Sequence, residues 1–195
     1  EVNLCGHATL ASGYVYFNFI NQDEKKITFS SASGDLVVEN KGKILELDFP
    51  KDKYNEVDYV NQVEDSIGIK PLKTYLGEIN LFAEIQNEDD TKNIKPDFDK
   101  LINLEGQGLI ISSKSEQFDF VSRYFCPKYG INEDPVTGSA HTTLIPYWAD
   151  KLNKTSMIAK QISKRGGVLY CTNLDERVLI GGEAVLYMKG EIDIS

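Results

Sequence analysis

Hydrophobic positions recur with two different spacings along this chain, and the switches between them mark out its elements. Over residues 7–19, small side chains at Ala8, Ala11 and Ser12 alternate with Leu10, Tyr14, Val15 and Phe19. The spacing predicts a central helix started by Gly6 and, being apolar nearly all round, buried. From residue 25 the period shortens. Residues 26–30, 35–39 and 44–49 read as three short strands with turns at Gly34 and over 40–43, an antiparallel meander that Pro50 stops. Residues 50–57 read as polar loop, and 58–67 as a short helix ended by Gly68, with Pro71 just beyond.

The same reading carries to the end of the chain. Two strands over 75–85 break around Glu78, Ile79 and Asn80; 88–95 reads as a charged loop, 96–104 as a short helix and 108–112 as a buried strand. Residues 118–125 alternate as a strand ended by Cys126 and Pro127. A second central helix is expected over 137–153, carrying Trp148, and strands over 157–163, 167–172, 177–180 and 183–188, separated by glycine-rich turns.

Composition narrows the class. The 195 residues suffice for one large domain or two small lobes, and 41% hydrophobic content supports a real core. A net charge of −9 argues against nucleic acid or an anionic membrane as partner. No apolar run has the length of a membrane span and nothing resembles a secretory signal, so a cytoplasmic protein is expected. Cys5, Cys126 and Cys171 are odd in number and far apart, without zinc spacing, which fits a reducing compartment and no metal. The chain begins at Glu1, inside what reads as a motif, as expected of a fragment, a processed form or part of something longer.

Candidate chemistry gathers in two stretches, NEDPVTGSAHTT at 132–143 and EVNLCGHATLA at 1–11. Glu1 precedes Gly6 by five residues as Glu133 precedes Gly138, and Gly6-His7-Ala8 matches Gly138-Ser139-Ala140. Each turn leads into a helix flanked by strands, which predicts a pseudo-duplicated pair of lobes. Glycine at a helix start lets backbone N–H groups converge on a ligand, and two opposed helix starts suit a carboxylate or an enolate-like oxyanion. Gly6, Gly138 and Ser139 are therefore candidate substrate-binding residues, with capping of the helix as the bland alternative for Ser139 and for Thr137. The chain has two histidines. His7 is the favoured functional one; His141 is as readily placed in the core. Asp134, held extended before Pro135, is a candidate proton carrier, with an exposed loop acid as the alternative. Glu1 reads as a supporting acid.

CGHATLA at 5–11, SRYFCPKYGINEDPVTGSAHTTLIPYW at 122–148, QISKRGGVLY at 161–170 and RVLIGGEAV at 177–185 resemble the PhzF family of phenazine-biosynthesis isomerases. The resemblance implies an α+β, diaminopimelate-epimerase-like fold: two pseudo-symmetric lobes, each a β-roll around a central helix, with the site between them. On that pattern residues 1–70, with a last strand near 183–195, belong to the N-terminal lobe, whose first strands are missing, and 71–182 form the C-terminal lobe. It also implies proton transfer without cofactor or metal, a small carboxylate-bearing substrate, and a homodimer. In the phenazine isomerase the substrate is trans-2,3-dihydro-3-hydroxyanthranilate. Gly6 and His7 match the first turn of the family; Asp134, Gly138 and Ser139 match the second, with Asp134 and His7 in catalytic roles.

Two departures qualify this. Family members carry a catalytic Glu, in a Ser-Glu-Thr context, ahead of the first turn, and nothing in these residues stands in for it. A missing or separately supplied segment is the expected explanation; a catalytically silent member that binds small molecules or serves structurally is the alternative. The sister epimerases place a thiol before each glycine, whereas here Cys5 holds the first place and Thr137 the second. A two-thiol racemase is therefore not expected, and Cys5 reads as a small buried residue.

Overall fold

Strands with one apolar face and strands with two sort themselves differently in this molecule. The computed structural model describes residues 5–31 and 34–193; Glu1 lies outside them. Helix α1 (Gly6–Val15) runs on through one π-helical turn (Tyr16–Ile20). Strands β1 (Lys26–Ser31), β2 (Gly34–Asn40) and β3 (Leu45–Pro50) form the expected antiparallel meander. They alternate, with Leu36, Val38, Leu45, Leu47 and Phe49 buried and their neighbours more open, the pattern of a sheet covered on one face.

Next come β4 (Tyr54–Val57), α2 (Val60–Ile67), β5 (Lys73–Gly77) and β6 (Leu81–Glu84). Gly68 ends α2 in the left-handed region at φ +73, where its N–H donates to Glu64 O at 2.7 Å. Then follow α3 (Glu88–Asn93), α4 (Phe98–Leu101), β7 (Leu109–Lys114), β8 (Phe120–Phe125), α5 (Gly138–Leu152), β9 (Ser156–Gln161), β10 (Gly167–Asn173) and β11 (Arg177–Gly182). In β6 and β7, Phe82 and Ile110 enter the main core around Trp148, while Leu81, Ala83, Leu109 and Ile111 pack on the other side with Val63, Ile67 and Leu101 of α2 and α4. These strands are buried on both faces, hence their continuous apolar runs.

The eleven strands among the described residues join one sheet in the order β1-β2-β3-β11-β10-β9-β8-β7-β6-β5-β4. Pairing is parallel at β6–β7 and β8–β9. Parallel neighbours need a crossover, and α3–α4 and α5 supply these two. β11 returns to pair with β3, Ile180 opposite Leu47. The molecule is thus a mixed α/β protein with a large sheet and few helices.

Four expectations need correction. Residues 54–57 are an edge strand rather than loop: they pair with β5, and Glu56 forms an ion pair across that pairing with Lys73 at 2.8 Å. Residues 88–93 are helix because Asn87 accepts from Asp90 N at 2.8 Å and three acids occupy the first turn. Residues 183–188 form no strand: they pair with no neighbouring strand among the described residues, and Val185 and Tyr187 are 84% and 97% exposed. Helix α1 buries one face only. Gly13 lies against Val38 and Phe17 enters the core, while Val15, Phe19 and Ile20 are exposed.

Helix α5 is the true central element, buried without a break from Ala140 to Ala149. It contains Pro146, which has no N–H to give to Thr142 O. That carbonyl is taken by Asp52 N at 3.3 Å, from the β3–β4 connection. The Asp52 carboxylate completes the clasp, accepting from Thr143 Oγ1 at 2.6 Å and from Glu78 N at 3.1 Å. Replacing Asp52 by Ala orphans a buried hydroxyl and a backbone N–H, and is expected to cost about 2–3 kcal/mol in urea unfolding, with Asp52→Asn recovering part of it.

Candidate active site

The two glycine turns meet. Helix α1 begins at Gly6 after Cys5 (φ −114, ψ 107), and α5 begins at Gly138 after Thr137 (φ −118, ψ 106). A Cβ on Gly6 would stand 3.3 Å from Gly138 Cα, and one on Gly138 would stand 3.4 Å from Gly6 Cα and 3.2 Å from the Phe49 ring. A Cβ at either position would be tightly packed against the other helix start, so glycine lets the two approach this closely without displacement. The match extends further. Thr9 donates to Cys5 O at 2.7 Å, and His141 Nδ1 lies 2.7 Å from Thr137 O, each four residues into its helix. In this frame His7 and Ser139 occupy equivalent places.

Neither helix start is capped by the side chain before it. The leading N–H groups of a helix have no partner within the helix and attract negative charge, so two such ends side by side add their partial positive charges. They open on a cavity of about 580 Å³ lined by Gly6, His7 and Gly138, with apolar walls from Leu10, Leu47, Val136 and Ile180 and charged groups at Arg165 and Glu183. His7 is exposed and its ring makes no hydrogen bond among the described residues. Ser139 and Asp134 are half-buried and lie outside the lining of this cavity. The structure therefore unites three of the five expected residues and holds the other two beside them on the Asp134–Ser139 segment. Among the described residues no three His, Cys, Asp or Glu side chains converge as a metal site.

That segment is tied down from several sides. Arg123 of β8 grips Glu133 with Nε and Nη2 at 2.7 and 3.1 Å, and its Nη1 donates to Thr91 O, Lys92 O and Ile94 O at the end of α3. Glu133 is thus a structural anchor. Asp134 N donates to Tyr124 O at 3.0 Å. Thr137 does not cap α5; its hydroxyl donates to Asp134 Oδ2. Gln161, fully buried at the end of β9, accepts from Thr137 N at 2.7 Å and donates to Asp134 O at 2.8 Å and Thr137 Oγ1 at 3.1 Å. Ser163 donates to Pro135 O at 2.7 Å. The sequence reading passed over Gln161, although it sits on the inward face after Met157 and Ala159, a polar residue where an apolar one is expected.

His141 is a core residue. It is fully buried, stacks on Phe120 and turns Nε2 toward Ser122 Oγ at 3.4 Å. Its Nδ1 faces a carbonyl, so that nitrogen carries the proton. Burial pushes its pKa down to about 4, and the ring is neutral at pH 7. Burial also pushes the Cys126 thiol up to about 11 and the Cys171 thiol higher still, so neither supplies a thiolate.

The buried histidine has a consequence for stability. The unfolded state takes up its proton near pH 6.5 and the folded state only near 4, so stability is full above pH 6.5 and falls as pH drops through that window. This residue is expected to remove about 3 kcal/mol between pH 6.5 and pH 4. Urea unfolding across that range is expected to show the slope in the parent chain and its loss in His141→Gln.

Comparison with known proteins places this arrangement. The family model described as phenazine biosynthesis-like protein, PhzC-PhzF, matches residues 1–190. An uncharacterized isomerase of Pseudomonas aeruginosa is 43% identical over 195 residues, covering 100% of this chain and 75% of the relative. An uncharacterized isomerase of Halalkalibacterium halodurans is 42% identical, covering 98% of this chain and 74% of the relative. A crystal structure of a PhzF-family phenazine biosynthesis protein from Enterococcus faecalis superposes with a TM-score of 0.94 at 44% identity, over 100% of this chain and 75% of that one. Helix starts, flanking strands and family model agree: the chain belongs to the PhzC-PhzF phenazine biosynthesis-like family.

Proposed function

We propose that this protein is an isomerase that moves a proton on a small carboxylate-bearing substrate by acid/base catalysis, without a cofactor. The observation that carries the reading is the meeting of two uncapped helix starts at Gly6 and Gly138. Their N–H groups are placed to hold a carboxylate or the oxyanion that develops when a neighbouring C–H is deprotonated. Asp134 is the proton carrier of this chain, His7 assists from the cavity wall, and Ser139 offers a hydroxyl with no partner among the described residues. The printed names of the relatives, uncharacterized isomerases, support the reaction class. The matched helix starts also support two pseudo-symmetric lobes of the diaminopimelate-epimerase-like kind.

One observation favours a second reading. Asp134 does not line the cavity, as expected of a catalytically silent protein that keeps the binding site alone. Solvent exchange separates the two. The full-length protein, incubated in D2O with trans-2,3-dihydro-3-hydroxyanthranilate and a panel of small carboxylates, is expected to wash out one C–H proton NMR signal. Asp134→Asn is expected to slow this about 100-fold or more. A compound that binds but exchanges no proton supports the silent reading, and full turnover in Asp134→Asn removes Asp134 from the mechanism.

A further inference from the structure

The hydrogen bonds around Gln161 have a direction that chemistry fixes. A backbone N–H only donates, so the Gln161 atom 2.7 Å from Thr137 N is the carbonyl oxygen Oε1. The amide nitrogen Nε2 therefore points the other way, and both its hydrogens are used, one on Asp134 O at 2.8 Å and one on Thr137 Oγ1 at 3.1 Å. Having accepted that hydrogen bond, Thr137 Oγ1 directs its single proton to Asp134 Oδ2. Asp134 Oδ1 has no hydrogen-bond partner among the described residues. One carboxylate oxygen is committed and one is open.

We propose that Gln161 is a positioning residue that sets this asymmetry: it turns the Thr137 hydroxyl onto Oδ2 and so presents Oδ1 as the oxygen that exchanges a proton with substrate. The proposal rests on the reading of Asp134 as the proton carrier. A residue that merely stapled β9 to the start of α5 needs only its two bonds to backbone groups. The bond to Thr137 Oγ1 satisfies the second hydrogen of the buried amide and, in the same step, directs the hydroxyl proton. Burial makes the arrangement rigid, because Gln161 and Thr137 have no water to exchange with.

The test reads the proton itself. In the full-length protein the Thr137 hydroxyl proton is expected as a slowly exchanging, downfield resonance that moves upfield in Asp134→Asn, where the acceptor loses its charge. Gln161→Glu puts a competing acceptor where Nε2 stood; Gln161→Met removes both donors without adding charge. In each, hydroxyl exchange is expected to accelerate about tenfold or more, the equivalent of losing a hydrogen bond to a charged group. With a turned-over substrate, kcat is expected to fall while KM stays within about twofold, the mark of an interaction made in the transition state. If Gln161→Glu does not fold, Gln161→Met carries the test alone. Hydroxyl exchange unchanged in a folded Gln161 variant overturns the proposal, as does the absence of a protected Thr137 hydroxyl in the parent protein. Full turnover in Asp134→Asn alongside an altered hydroxyl in the Gln161 variants overturns the catalytic reading and leaves the hydrogen-bond direction standing.

Discussion

The backbones of α1 and α5 touch at their first residues, and most of what is distinctive about this molecule follows from that contact. Gly6 and Gly138 lie so close that a methyl group on either would press on the Cα of the other. Phe49 of β3 fills the space beside both. The contact draws together two stretches 132 positions apart in sequence, each opening a helix after an extended residue with no side-chain cap. Both glycines line an apolar-walled cavity, and the uncapped start of a helix carries partial positive charge.

The rest of the fold holds α5 in place. Its burial along ten consecutive residues supplies the hydrophobic weight, and the flaw introduced by Pro146 is repaired by a residue from the β3–β4 connection. The approach to the helix is anchored independently, by the Arg123–Glu133 ion pair on one side and by Gln161 and Ser163 on the other. Charged and polar groups in this region therefore divide by role. Glu133, Asp52 and His141 are committed to structure, whereas the His7 ring, the Ser139 hydroxyl and one oxygen of Asp134 have no hydrogen-bond partner among the described residues.

Local chemistry made much of this legible in the sequence. Period-2 alternation located the meander, glycine located the end of α2 and the starts of α1 and α5, and the internal match between Gly6 and Gly138 pointed to their pairing. What stayed hidden depends on partners far away in the chain. Pro146 is tolerated because of Asp52, whose carboxylate bonds a residue 91 positions on. Thr137 beside a helix start reads as a cap, yet its proton goes to Asp134 because Gln161, 24 residues later, supplies the other hydrogen bonds. The acidic run after Asn87 reads as loop because its charges mask a capping pattern that Arg123 completes from β8. Helix α1 was expected to be buried from its composition, and composition does not say which neighbours are present to cover it.

The central claim is that two opposed helix starts form the anion site. A crystal structure of the full-length protein with a bound small carboxylate tests it most directly. The account predicts the carboxylate between the Gly6 and Gly138 turns, its oxygens about 2.7–3.2 Å from backbone N–H groups at the starts of α1 and α5. A carboxylate held elsewhere, on Arg165 at the cavity rim with both helix starts left empty, would contradict it.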